Sequence, residues 1–300
     1  MSTNSGRYVI VFAVTILVAS EIFASRSLVA AATTVTALAK ETHFHGIAVD
    51  PSDSSRVYLA THNGLYAIAP DGSADKISTT TDDFMGFTPH PADPAILYAS
   101  GHPAGGGNLG FIASTDGGKS WAKLADGVGG PVDFHQMDVS AADPNVIYGV
   151  SGGLQRSGDG GRTWSIVGPA PEGLIDLAAS GKDANTLYAA TQGGLLKSTD
   201  GGASWTIAHV IKRPATMVEV TGQGDVYAFI FGTGLVRADD GEANWRLVSN
   251  DFGGAYVLHL AAGPKENGKL CAVTVNPETH GQTVVMSDDS GATWVSLGGN

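Results

Sequence analysis

The chain has nine histidines in 300 residues, unevenly spaced. His43 and His45 are followed by His62, then by Asp83 and Met85, then by His102, and then by Asp133, His135 and Met137. Neutral imidazoles beside a thioether suit a soft or borderline transition metal, most naturally copper, while His and Asp together also suit zinc. The candidate metal ligands are therefore His45, His62, Met85, His102 and His135. Two carboxylates of the same stretch, Asp83 and Asp133, offer a different chemistry, because two acids flanking a sugar linkage are the equipment of glycoside hydrolysis. No local motif such as His-Glu-x-x-His ties these residues together. A fold must bring them to one place across some ninety residues of chain.

That fold is written in repeats. Ser114-Thr-Asp-Gly-Gly-Lys-Ser-Trp121 returns as Ser157-Gly-Asp-Gly-Gly-Arg-Thr-Trp164 and as Ser198-Thr-Asp-Gly-Gly-Ala-Ser-Trp205. A weaker copy is Ala238-Asp-Asp-Gly-Glu-Ala-Asn-Trp245, and a good one is Ser287-Asp-Asp-Ser-Gly-Ala-Thr-Trp294. The shared aspartates, Asp116, Asp159, Asp200, Asp240 and Asp289, lie 43, 41, 40 and 49 residues apart, a period typical of propeller blades. All five tryptophans close these octets. In such a turn a hydroxyl and a carboxylate bond backbone amides, glycine supplies positive φ, and Trp packs beneath. The octet aspartates are thus structural, not catalytic.

The octets resemble the Asp-box (BNR) hairpin of sialidases, sortilin-type receptors and photosystem assembly-factor propellers, and the resemblance covers nearly the whole chain after residue 32. It implies an exported sialidase-like or glycosyl-hydrolase-like propeller. True sialidases, however, clamp the sugar carboxylate with three arginines, whose fork geometry the chemistry needs. Here Arg56, Arg156, Arg162, Arg237 and Arg246 fall in turns on the other face, third strands or octet strands, which leaves Arg213 alone. No tyrosine nucleophile with a paired Glu stands out.

First strands open at Phe44, Phe84, Phe134, Leu174, Met217 and Val257, and second strands follow at Val57, Ile96, Val146, Thr186, Val226 and Leu270. Six repeats of four short strands describe an all-β, six-bladed β-propeller over residues 33–300. Whether Thr33 to Lys40 adds a strand at the ring closure is left open. Loops entering first strands and loops leaving second strands share one face of a propeller. His45, Met85 and His135 stand at equivalent positions of repeats one to three, while Ile175, Val218 and Leu258 stand there in repeats four to six. His62 and His102 leave second strands on the same face. Packing alone would favour the apolar choice everywhere, so the asymmetry points to a site. His90 falls on the opposite face as a turn residue, and nothing singles out His209 or His280. Asp176 and Glu219 also open first strands and widen the choice of acids.

Composition narrows the partners. Glycine is abundant, at 41 residues, and only 15% of residues are charged, which excludes coiled coils and disordered tails. A net charge of −12 opposes nucleic acid and anionic lipid. The lone Cys271 sits in an apolar run and reads as a small buried hydrophobe. Arg7, an apolar stretch from Tyr8 to Ala19 and small residues to Ala32 have the pattern of a signal peptide over residues 1–32, which predicts a periplasmic or secreted protein with no stable membrane span after cleavage.

Three functions follow from these residues: a binding module with a metal or small ligand in the funnel over blades one to three, a glycoside hydrolase of non-sialidase specificity, or a scaffold for a protein partner. Structural polar packing is the alternative for the histidines themselves.

Overall fold

A computed structural model of the chain describes residues 33–50, 52–263 and 268–298. The leader expected over residues 1–32 lies outside the described residues. Six antiparallel sheets follow one another along the chain, each built from a contiguous segment. The innermost strands are Phe44–Val49, Asp83–Pro89, Met137–Val139, Leu174–Ala179, Ala215–Val220 and Tyr256–Ala262. Each packs on the next, and the last packs on the first, closing a six-bladed propeller.

Burial follows position in the blade. Val57–Thr61, Leu187–Thr191 and Leu270–Val275, all second strands, are buried at every residue, as befits β-branched and apolar runs covered on both faces by neighbouring blades. The outermost strands Ala122–Ala125 and Thr206–Ile207 lie at the rim and are largely exposed. The core is accordingly six clusters of buried side chains.

The octets form the turns their composition predicts. Asp159 Oδ1 accepts from the Ser157 hydroxyl and from the amides of Arg162 and Thr163, and Oδ2 accepts from the Thr163 hydroxyl. Ser157 Oγ in turn accepts from the Gly161 amide. The Trp164 indole donates to the Gly161 carbonyl and packs on Phe111 and Phe134, with ring centroids 5.2 and 4.8 Å away. The second glycine also joins blades. At Gly161, with φ +84°, an added Cβ would collide with the Phe111 ring of the preceding blade. Gly118 and Gly202 press in the same way on Leu65 and Leu154.

The weak octet differs for a visible reason. Glu242 replaces the second glycine, and Asp240 turns away to the preceding blade. There it accepts from the Ser180 hydroxyl, the Gly181 amide and the Tyr188 hydroxyl, at 2.6, 3.0 and 3.1 Å.

Ring closure, open from sequence, uses the N-terminal segment. Thr33–Thr34 pairs with Ser73 and Ala74 as a fifth strand of blade one. A short helix, Val35–Glu41, follows, with the Thr34 side chain accepting from the Ala37 amide as an N-cap. Val35 and Leu38 of this helix share one cluster with Val284 and Leu297 of blade six. The segment therefore wedges between first and last blades, while blade six keeps four strands of its own.

One equivalence needs correction. Asp50, His90, Ser140, Ser180, Thr221 and Gly263 each donate their amide to the carbonyl that closes the first turn of their blade. Five residues before each lie His45, Met85, His135, Ile175, Thr216 and Leu258. Thr216, not Val218, therefore occupies the fifth position; it is the residue passed over at a bulge between Ala215 and Met217, as His45, Ile175 and Leu258 are in their strands.

Candidate metal centre

The candidate side chains meet at one end of blades one to three, and they form two groups. His45 opens the inner strand of blade one, His62 leaves the second strand of the same blade, and Asp83 opens the inner strand of blade two. His45 Nε2 lies 3.1 Å from His62 nitrogens, His62 Nδ1 lies 2.7 Å from Asp83 Oδ2, and His45 Nε2 lies 3.6 Å from Asp83 Oδ1. One blade further on, the arrangement recurs. His102 Nε2 is 3.0 Å and His135 Nε2 2.6 Å from Asp133 Oδ2. In each group one nitrogen or oxygen per residue lies within 4.8 Å of the others; an ion about 2 Å from each donor spans pairs up to about 4 Å apart, so it would draw the widest-set donors inward.

Each aspartate keeps one oxygen without a hydrogen-bond partner. Asp83 Oδ1, with His45 Nε2 3.6 Å away, and Asp133 Oδ1 are both buried without a hydrogen bond, although buried polar atoms usually make one. A cation at either group would supply one. The second group also has an outer brace, since His102 Nδ1 lies 2.8 Å from the Gly107 carbonyl. Donation to that carbonyl leaves Nε2 facing Asp133, the arrangement by which metal-binding imidazoles are oriented. The glycine-rich loop thus acts on a ring nitrogen.

The two groups differ electrically. Burial, with repulsion from His62, holds the His45 imidazole at about 4, so it is neutral at ordinary pH. The bond to Gly107, with the Asp133 charge, raises His102. Side-chain exposure runs the same way, at 17% for His45 and 40% for His102.

Met85, expected as a thioether donor, is buried in blade two opposite Ser100; both groups consist of nitrogen and oxygen donors. Asp83 and Asp133, the candidate acids for sugar chemistry, are each engaged by two imidazoles. His90 Nδ1 accepts from the amides of Ala92 and Asp93 and is a turn residue, and His280 sits in a left-handed turn. His209 accepts from the Ile211 amide and packs on Trp245. Cys271 is buried in the core, which pushes its thiol up to about 12.

Below the two groups runs a central channel of about 510 Å³. Asp138, Asp176 and Glu219 line it on three consecutive blades. Each accepts from an inner-strand amide of the next blade, those of Ala179, Val218 and Ala262. Burial raises Asp138 to about 6, burial and the Asp138 charge raise Asp176 to about 7, and Glu219 is raised well above its usual range by burial and both acids. Asp176 and Glu219 therefore staple blades instead of opening the mouth. His259 joins them in the channel, held at about 4 chiefly by burial. Asp138 and His259 drew no attention in the sequence, since each is a single polar residue inside an apolar strand.

Compared by sequence, the chain matches no family model and no curated protein. Among solved structures, a GH74 enzyme from Niastella koreensis shares 18% identity over 85% of this chain, with a TM-score of 0.59. A GH74 xyloglucanase from Xanthomonas campestris shares 19% over 85%, with a TM-score of 0.57. The chain spans 45% of the length of each enzyme. The nidogen/laminin complex aligns over 80% of this chain and 91% of its own, at 8% identity and a TM-score of 0.57. At such low identity these likenesses speak for architecture alone: the chain is a six-bladed β-propeller.

Proposed function

We propose that the protein is an exported binding propeller that holds a transition-metal ion at the mouth over blades one to three. The supporting observation is the recurrence, one blade apart, of two imidazoles around one aspartate whose second oxygen is buried without a hydrogen bond. Nitrogen and carboxylate donors favour zinc(II) or copper(II) over copper(I), which prefers sulfur. The His45 ring, held neutral by burial, is ready to bind, and the aspartate would neutralise one positive charge of the ion. Glycoside hydrolysis is less well supported, because the two acids it would use at the mouth each already face two imidazoles.

The test is elemental analysis after loading with zinc(II) or copper(II) and removal of free ion by gel filtration. Wild type is expected to retain metal, and a His45→Ala, His135→Ala double variant to lose it. Equal retention by both proteins would reject the reading.

A further inference from the structure

Resting on that reading, we infer that the mouth holds two ions of unequal lability: a retained ion at His43, His45, His62 and Asp83, and an exchangeable ion at His102, Asp133 and His135. Two clusters with no shared residue and an orphan oxygen in each are more than one ion can use. A single ion takes four to six donors, and the two sets adjoin at the first strand pair of blade two. Asp83 and His102 are Cα partners across that pair, yet they belong to different clusters.

The difference in lability follows from donor number and cover. His43, exposed at the rim, has its ring 5.7 Å from that of His62, tilted by 45°. Rotation of this side chain would add a fourth donor to the first cluster. Four protein donors make a closed centre, whereas three leave a position for water or an incoming ligand. Among the described residues no third imidazole packs on the His102 and His135 pair as His43 packs on His62. The imidazoles lean the same way, with His45 and His62 showing 17% and 47% of their side chains and His102 and His135 showing 40% and 51%, while Asp83 and Asp133 show 19% and 12%. The loop carrying Gly105, Gly106 and Gly107 borders the second cluster, with nothing within 4 Å of a Cβ built on any of the three, so that side is open to solvent.

Full-length protein is loaded with zinc(II), and its metal content is measured. The ions are then withdrawn by excess of a chromogenic chelator while release is followed in time. Wild type is expected to carry two ions per chain and to release them in a fast and a slow phase. His102→Ala with His135→Ala removes the fast phase, His45→Ala with His62→Ala removes the slow one, and His43→Ala accelerates the slow phase by about tenfold, in line with the loss of a coordinating contact. Cobalt(II) gives an independent readout: the visible bands of the open second cluster should shift on adding azide, and those of the closed first cluster should not. One ion in wild type, abolished by either pair of substitutions, would show a single shared centre and overturn the inference while leaving metal binding intact. Two ions released at one rate would overturn the division of roles. No retained ion would overturn the proposed function as well.

Discussion

Asp83 and His102 face each other across the first two strands of blade two, yet Asp83 pairs with the imidazoles of blade one and His102 with the aspartate of blade three. One strand pair therefore serves both clusters. The arrangement needs a residue at the start of an inner strand and another at the end of its neighbour, and a propeller repeats that opportunity at every blade.

If each aspartate supplies charge to an ion, its neutral isostere should bind more weakly. Asp133→Asn is expected to lower zinc(II) affinity at the second cluster by at least about tenfold, with the thermal midpoint of the metal-free protein nearly unchanged. A competition titration with a zinc indicator measures it. Unaltered affinity would remove Asp133 from the donor set.

The second glycine of the octets joins left-handed backbone to close packing on the preceding blade. Gly161→Ala is expected to cost about 2–4 kcal/mol, because the methyl strikes Phe111 at a φ of +84°. Gly117→Ala, also at positive φ but with nothing within 4 Å, should cost only about 1–2 kcal/mol. Urea unfolding of the pair separates steric from conformational cost, and equal losses would contradict the packing account.

Asp240 fastens blade four to blade five. Removing it as Asp240→Ala leaves the Ser180 and Tyr188 hydroxyls and the Gly181 amide without their acceptor. A loss of about 3 kcal/mol is expected, larger than for Asp75→Ala at the exposed rim of blade one. Equal stability of the two variants would mean that the three bonds are replaceable by water.

Acid should weaken the octets in a defined window. Hydroxyl donors and then amide donors hold Asp116, Asp159, Asp200 and Asp289 at about 2, below the ordinary 3.8. The folded state thus prefers the ionised form, so this contribution is fully present above about pH 4 and is lost as pH falls toward 2. Asp200→Asn should unfold at lower urea than wild type at pH 5, and the two should converge near pH 2. Parallel curves would show that these bonds do not set the acid limit.

Much of the architecture was legible because it repeats: five octets with one tryptophan each mark the blades and their outer turns. The site was legible in its residue types and its face, since His45, His62, His102 and His135 all fall where propeller loops converge. Its division was not, because a one-blade offset between His62 and Asp83, and between His102 and Asp133, becomes visible only when neighbouring blades are laid side by side. The channel acids were hidden for a related reason. Asp138 and Glu219 bond amides of the next blade, a relation across about forty residues that leaves no local pattern. Val218 lies two residues beyond Thr216, and a slip of two keeps the period of an alternating strand, so the apolar pattern does not expose it.

The central claim, that the mouth over blades one to three is a metal centre, is tested most directly by diffraction from zinc-loaded crystals at wavelengths on either side of the zinc absorption edge. Anomalous peaks are expected within bonding distance of His45, His62 and Asp83, and of His102, Asp133 and His135. A map without peaks at these residues, or with zinc confined to the octet face, would contradict it.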